Sequence, residues 1–190
     1  WGAGLFAESG NRKKFPAIVI FPQCPEKNNW GRYERKDSTV KNFWSDLRFL
    51  SDRPPTAPMA LVMQLLDSMV GSGVADSRRI YVGGLSMGGM GTFEILWRKP
   101  GFFAAALPIC GSGDPDMVPN YAGQTAVWVF HGDSDPVVPV SGSRSMVAAF
   151  QKAGMEYRYT EYPGVQHDSW KNAFAEPDLL LWLFGQKKKR

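Results

Sequence analysis

Ser86 lies in Gly84-Leu85-Ser86-Met87-Gly88, with Gly89 next. An apolar, β-rich run, Arg79-Ile80-Tyr81-Val82-Gly83, precedes it, and Met90 to Trp97 follows as a predicted helix. A G-x-S-x-G between a strand and a helix is the nucleophile-elbow pattern. The serine of such an elbow occupies a strained turn, so the residues two before and two after it must be small for strand and helix to approach. The turn pushes the hydroxyl out of the sheet and aims the helix N-terminus at any negative charge forming beside it. Five residues alone are a weak signal; the strand before and the helix after are what strengthen it.

A serine hydroxyl is a poor nucleophile at neutral pH and needs an imidazole to take its proton. The imidazole in turn needs a carboxylate to fix its tautomer and stabilise the imidazolium. The chain offers two imidazoles, His131 and His167. His131-Gly132-Asp133-Ser134-Asp135-Pro136-Val137-Val138-Pro139 follows the apolar run Ala126–Phe130, and Pro163-Gly164-Val165-Gln166-His167-Asp168 follows Tyr157–Tyr162. The order is therefore serine, acid, histidine, each just beyond a predicted strand. Asp133 competes with Asp135 for the acid. Asp168 is the weaker rival, because a sequence neighbour of His167 is poorly placed to grip its ring. His131 invites a catalytic reading too, but it directly follows its strand, and a satisfied, partly buried histidine is the expectation there.

Groups from three loops converge only if their strands run the same way, and the remaining elements say that they do. Phe15–Phe21 is continuously apolar, the mark of a strand buried on both faces, and ends at Pro22 and Pro25. Residues 26–55 read mainly as loop. Pro58 to Val70 has apolar residues at helical spacing, with Thr56 as N-cap and Gly71 and Gly73 as terminators. Its methionines fit a helix packed on a sheet better than a binding groove. Strands are predicted at 80–83, 103–110, 126–130 and 157–162, the last alternating as an edge strand does, with 111–123 as loop. Helices are predicted at 141–153, ended by Gly154, and at 178–185. Strand and helix alternate throughout, so the fold class is α/β: a mainly parallel sheet with helices on both faces and ligands beyond the carboxyl ends of its strands.

At 190 residues, with no repeat or linker, residues 1–190 read as a single domain. No apolar run reaches the roughly 18 residues that span a bilayer, so no membrane partner is expected. The net charge of +4 owes much to Lys187-Lys188-Lys189-Arg190, a solvated tail, and no basic patch interleaved with aromatics suggests nucleic acid. Cys24 and Cys110 lack metal or redox spacing and are expected as free thiols. Without H-E-x-x-H or a Cys/His cluster, no metal site and no cofactor is expected. The chain opens Trp1-Gly2-Ala3-Gly4, with neither initiator Met nor signal-peptide pattern, so its compartment, secreted and periplasmic included, is not legible from this end.

Taken together, these motifs resemble the serine esterases of the α/β-hydrolase superfamily. More narrowly, the chain is similar to a bacterial predicted peptidase or esterase group related to polyhydroxybutyrate depolymerases and feruloyl esterases. The resemblance rests on Phe-Pro-Gln-Cys-Pro at 21–25, Gly-Leu-Ser-Met-Gly-Gly at 84–89, Pro-Ile-Cys-Gly-Ser-Gly-Asp at 108–114, His-Gly-Asp-Ser-Asp-Pro-Val-Val-Pro at 131–139, and His167. It implies an α/β-hydrolase fold with Ser86 as nucleophile, His167 as base and Asp135, four after the histidine of its motif, as acid. It places one oxyanion donor at the Met87 N–H. The second donor in that group comes from a His-Gly-x-Gly loop, which Trp1-Gly2-Ala3-Gly4 matches only superficially. The expectation is thus a chain without its N-terminal strands and without that donor, whose loss costs on the order of 100- to 1000-fold in turnover.

The implied activity is hydrolysis of short-chain acyl esters through an acyl-enzyme, including acetyl or feruloyl groups on polysaccharide. Its partner is a small or polysaccharide-borne ester. Trp30, Met87 and Trp170 are candidate pocket residues. Two other readings stand beside it: a serine peptidase of prolyl-oligopeptidase type, and a non-catalytic binding module on the same fold.

Overall fold

The computed structural model describes residues 2–37 and 39–188. Trp1 of the opening tetrapeptide, and Lys189 and Arg190 of the basic tail, lie outside the described residues. Two short helices open the chain, α1 (Ala3–Ala7) and α2 (Ser9–Lys14). A small antiparallel pair follows, β1 (Tyr33–Arg35) with β2 (Leu47–Phe49), inside the stretch expected to be loop. Then come α3 (Ala57–Gly71), β3 (Tyr81–Leu85), α4 (Met87–Arg98), β4 (Ala105–Ile109), β5 (Ala126–Gly132), α5 (Ser141–Lys152), β6 (Tyr157–Tyr162), α6 (Trp170–Ala175) and α7 (Leu179–Gly185). The sheet order is β3-β4-β5-β6 and every pairing is parallel.

The apolar strands divide their residues between two faces, as a period of two requires. Ala106, Val127 and Val129 join Met59 of α3, Phe93 and Leu96 of α4, and Met146 and Phe150 of α5. Ala105, Leu107, Ile109, Trp128 and Phe130 join Ala173 of α6 and Leu179, Leu180 and Leu183 of α7, with Leu5, Phe6 and Phe15 packed alongside. The sheet is sandwiched, as its composition predicts. The β4 alanines, Ala105 and Ala106, are wholly buried, one on each face. Thr56 caps α3, its Oγ1 accepting the Met59 N–H at 3.3 Å, and the α3 methionines Met59 and Met63 pack on the core.

Phe15–Phe21 is not a strand. Residues 16–21 are irregular, and Ile18 and Phe21 are 61% and 56% exposed. Continuous hydrophobicity marks a segment that can be buried, but a strand exists only where a neighbour accepts its ladder bonds. Among the described residues none pairs with it. Residues 115–120 form a 3-10 turn within the expected loop, and β5 runs two residues beyond prediction to take in His131 and Gly132.

The elbow itself divides the glycine expectation. A Cβ on Gly84 would stand 2.3 Å from Gly88 O, so strand and helix touch there, backbone to backbone. A Cβ on Gly88 would meet nothing within 4 Å. Gly84→Ala is therefore expected to destabilise the chain by more than about 2 kcal/mol in urea unfolding. Gly88→Ala is expected to be neutral or to stabilise by up to about 1 kcal/mol, since alanine is the better helix former. Equal costs for the two would contradict this geometry.

Candidate active site

Parallel registry brings the strand ends level: Leu85 lies opposite Ile109, Ile109 opposite Phe130, and Gly132 opposite Tyr162. The residues just after them therefore share one end of the sheet. Ser86 has φ 55° and ψ −119°, the strained turn foreseen for the elbow. Its N–H is held by Ile109 O at 2.9 Å and by Cys110 Sγ at 3.3 Å. Cys110 is itself strained, at φ 41°, and wholly buried. Burial pushes its thiol up to about 12, so it stays protonated and serves as a soft acceptor beneath the elbow. The thiol was missed as a site feature because a lone cysteine carries no spacing signal; its place at the end of the strand beside β3 was the available clue.

From Ser86 a continuous relay runs inward. His167 Nε2 lies 2.9 Å from Ser86 Oγ, and His167 Nδ1 lies 2.7 Å from Asp135 Oδ2. Ser86 and His167 are half-buried, while the Asp135 carboxylate is fully covered. The other oxygen, Asp135 Oδ1, accepts the Val137 and Val138 N–H groups at 2.8 and 3.0 Å. Burial works to raise the Asp135 carboxyl, but the hydrogen bonds from His131, His167 and the Val137 N–H outweigh it and hold the group well below the usual carboxylate range. Such a chain can take a proton from Ser86 and stabilise the imidazolium that results.

The rival carboxylates have other partners. Asp133 Oδ1 accepts the Ser134 hydroxyl at 2.8 Å and the Gly164 N–H at 2.7 Å, which ties the loop after β5 to the loop after β6. Those loops meet closely at Gly132, where a Cβ would stand 2.2 Å from Val165 O. Asp168 is bonded to Lys171 at 2.6 Å. His131 is a member of β5 and fully buried, with Ser143 Oγ at 2.7 Å from Nδ1 and Val138 O at 2.9 Å from Nε2.

Met87 opens α4, and a first-turn N–H has no acceptor within its own helix. Trp170 sets its ring edge-to-face against His167, with centroids 5.4 Å apart, so this candidate does stand beside the relay. Trp30 does not. It packs on the core beside Gly91 of α4 and lines a groove of about 350 Å³ with Pro22, Pro58, Leu61 and Leu65, to which Ser86, Asp135 and His167 contribute nothing. An aromatic is as readily used to fill the space over a helix glycine as to line a pocket. Cys24 and Cys110 are both free and buried. The metal-ligating atoms of Cys110, Asp135 and His167 lie within 4.8 Å of one another, but Asp135 and His167 are committed to each other and the thiol keeps its proton.

Residues 44–177 match the phospholipase/carboxylesterase family. The chain belongs to that family. A crystal structure of a thermostable esterase superposes with a TM-score of 0.83 at 33% identity, over 98% of this chain and 48% of that one. A probable carboxylesterase of Oryza sativa subsp. japonica is 30% identical over 56% of this chain and 47% of its own length. Acyl-protein thioesterase 1 of Gibberella zeae is 25% identical over 84% of this chain and 72% of its own. The chain spans about half the length of the thermostable esterase and of the rice protein. Its parallel sheet, flanked by helices, is that of the α/β-hydrolases.

Because Asp135 is ionised in the folded chain where an unfolded aspartate, near pH 3.9, takes up its proton, its contribution is present above that pH and lost below it. The stability of this family member relative to Asp135→Asn, read by chemical denaturation, should therefore shrink as pH falls from about 6 to about 2. A gap independent of pH would contradict the assigned environment.

Proposed function

We propose that this phospholipase/carboxylesterase family member is a serine carboxylesterase working through an acyl-enzyme. In this reading Ser86 attacks the ester carbonyl while His167 Nε2 takes its proton, and Asp135 steadies the imidazolium through Nδ1. The Met87 N–H, at the positive end of α4, receives the oxyanion. His167 returns the proton to the departing alcohol, and water then repeats the sequence in reverse roles to release the acid. The observation that carries the reading is the unbroken chain of contacts from Ser86 Oγ through His167 to Asp135, 2.9 and 2.7 Å long.

The substrates proposed are short-chain acyl esters, with acetyl or feruloyl groups on polysaccharide as the leading class. This narrower choice is supported by the resemblance in the 21–25 and 108–114 runs and by the half-exposed Ser86 and His167, which suit a small or polymer-borne acyl group. Trp170, against the His167 ring, is the proposed side wall.

The test is turnover of p-nitrophenyl acetate beside a chromogenic peptide, with labelling by a fluorophosphonate probe. Ser86→Ala and His167→Ala should lose turnover by at least about 10³-fold, and Asp135→Asn by on the order of 10⁴-fold. The probe should label the wild type and not Ser86→Ala. Peptide cleavage exceeding ester cleavage would favour an amidase, and a Ser86 that resists the probe would favour a binding module.

A further inference from the structure

The His131-x-x-x-Asp135-x-x-Val138 spacing closes a clasp around the acid. His131 Nε2 stands 2.9 Å from Val138 O and 3.3 Å from Asp135 Oδ2, and both of those atoms can only accept. Nε2 must therefore carry a hydrogen, whichever way the Ser143 hydroxyl turns between His131 Nδ1 at 2.7 Å and Gly111 O at 3.0 Å. The oxygen it approaches is the one that accepts the His167 N–H. Asp135 thus has four donors on two oxygens, and two of them are histidines on one oxygen.

The other charged groups nearby are occupied. Glu161, opposite His131 on β6, is bonded by Arg144 of α5 at 2.9 and 2.5 Å and by the Tyr159 hydroxyl, and lies lowered to about 2 chiefly through Arg144. Asp133 holds Ser134 and Gly164, Asp168 holds Lys171, and Cys110 keeps its proton. The negative charge that His131 meets at its Nε2 is that of Asp135.

We infer that His131 is a positioning residue: its Nε2–H shares Asp135 Oδ2 with His167 and so sets how much negative charge the acid offers the base. The inference rests on the reading of Ser86, His167 and Asp135 as the catalytic relay. Without His131's proton, Asp135 stays seated on the Val137 and Val138 N–H groups but bears more charge toward His167 and holds the imidazolium more firmly.

Two substitutions separate this role from simple packing. Gln at 131 keeps an N–H near the Nε2 position, whereas Asn reaches only as far as Nδ1 and leaves Oδ2 without its second donor. In the pH profile of kcat/KM, His131→Asn should move the acidic limb up by about half to one pH unit, a three- to tenfold loss on the acid side, the size of one hydrogen bond. His131→Gln should restore the limb to near its wild-type position. A limb that stays or moves down in His131→Asn, or moves equally in both variants, overturns the inference even if both variants are less stable. Ser86→Ala run alongside tests the parent reading: turnover that persists there overturns the nucleophile assignment. The deshielded proton between His167 and Asp135, followed by NMR, needs no turnover; it should shift in His131→Asn and return in His131→Gln, and an unmoved resonance overturns the role of His131.

Discussion

A carboxylate taken out of water must be surrounded by donors or give up its charge, and Asp135 is where this chain meets that demand. Two backbone N–H groups from its own loop seat one oxygen, and two imidazoles meet at the other. The loop after β5 has to fold back on itself to supply those N–H groups, and the loop after β6 has to press close enough to bring His167 to the same atom. Asp133 and Gly132 serve that closeness, one by tying the loops together and the other by leaving no side chain between them. Much of the local sequence is thus explained by one buried negative charge.

The parallel sheet makes this arrangement possible at all. Its strands end level, so the elbow, the buried thiol, the Asp135 loop and the His167 loop gather at one end of the sheet although 81 positions separate Ser86 from His167. The elbow stores strain at Ser86 and at Cys110 beside it, and both are held by full burial of the neighbouring strand and by the contact of Gly84 with the α4 backbone. Rigidity below the site keeps the hydroxyl and imidazole above it in register.

What could be read beforehand follows the strength of the physical signal. Ser86, Asp135 and His167 each lie in the loop or turn that follows a predicted strand, strongly apolar for the first two and alternating for the third, so their convergence was legible once the alternation of strand and helix implied parallel strands. The separation of Asp135 from Asp133 drew on resemblance, since residue type alone gives both the same chemistry; only the backbone path shows that Asp133 faces Gly164. Phe15–Phe21 was misread because hydrophobicity reports a capacity for burial and says nothing of a pairing partner. The three-residue strands β1 and β2 are too short to carry a periodic pattern, and α1 and α2 lack an apolar face of useful length. Trp30, a candidate pocket residue, fills space over α4 at Gly91. His131, expected as a satisfied and partly buried histidine, is bonded and buried completely, and its orientation toward Asp135 is a matter of ring direction, which no spacing encodes.

In the proposed mechanism Ser86 carries the acyl group between ester and water. Mixing the chain with p-nitrophenyl acetate, quenching in acid within the first turnovers and mapping peptides by mass spectrometry tests it directly. An acetyl adduct is expected on the peptide containing Ser86 and is expected to be absent from Ser86→Ala. Ester consumption with no adduct at Ser86, or an equal adduct in the Ser86→Ala chain, would contradict it.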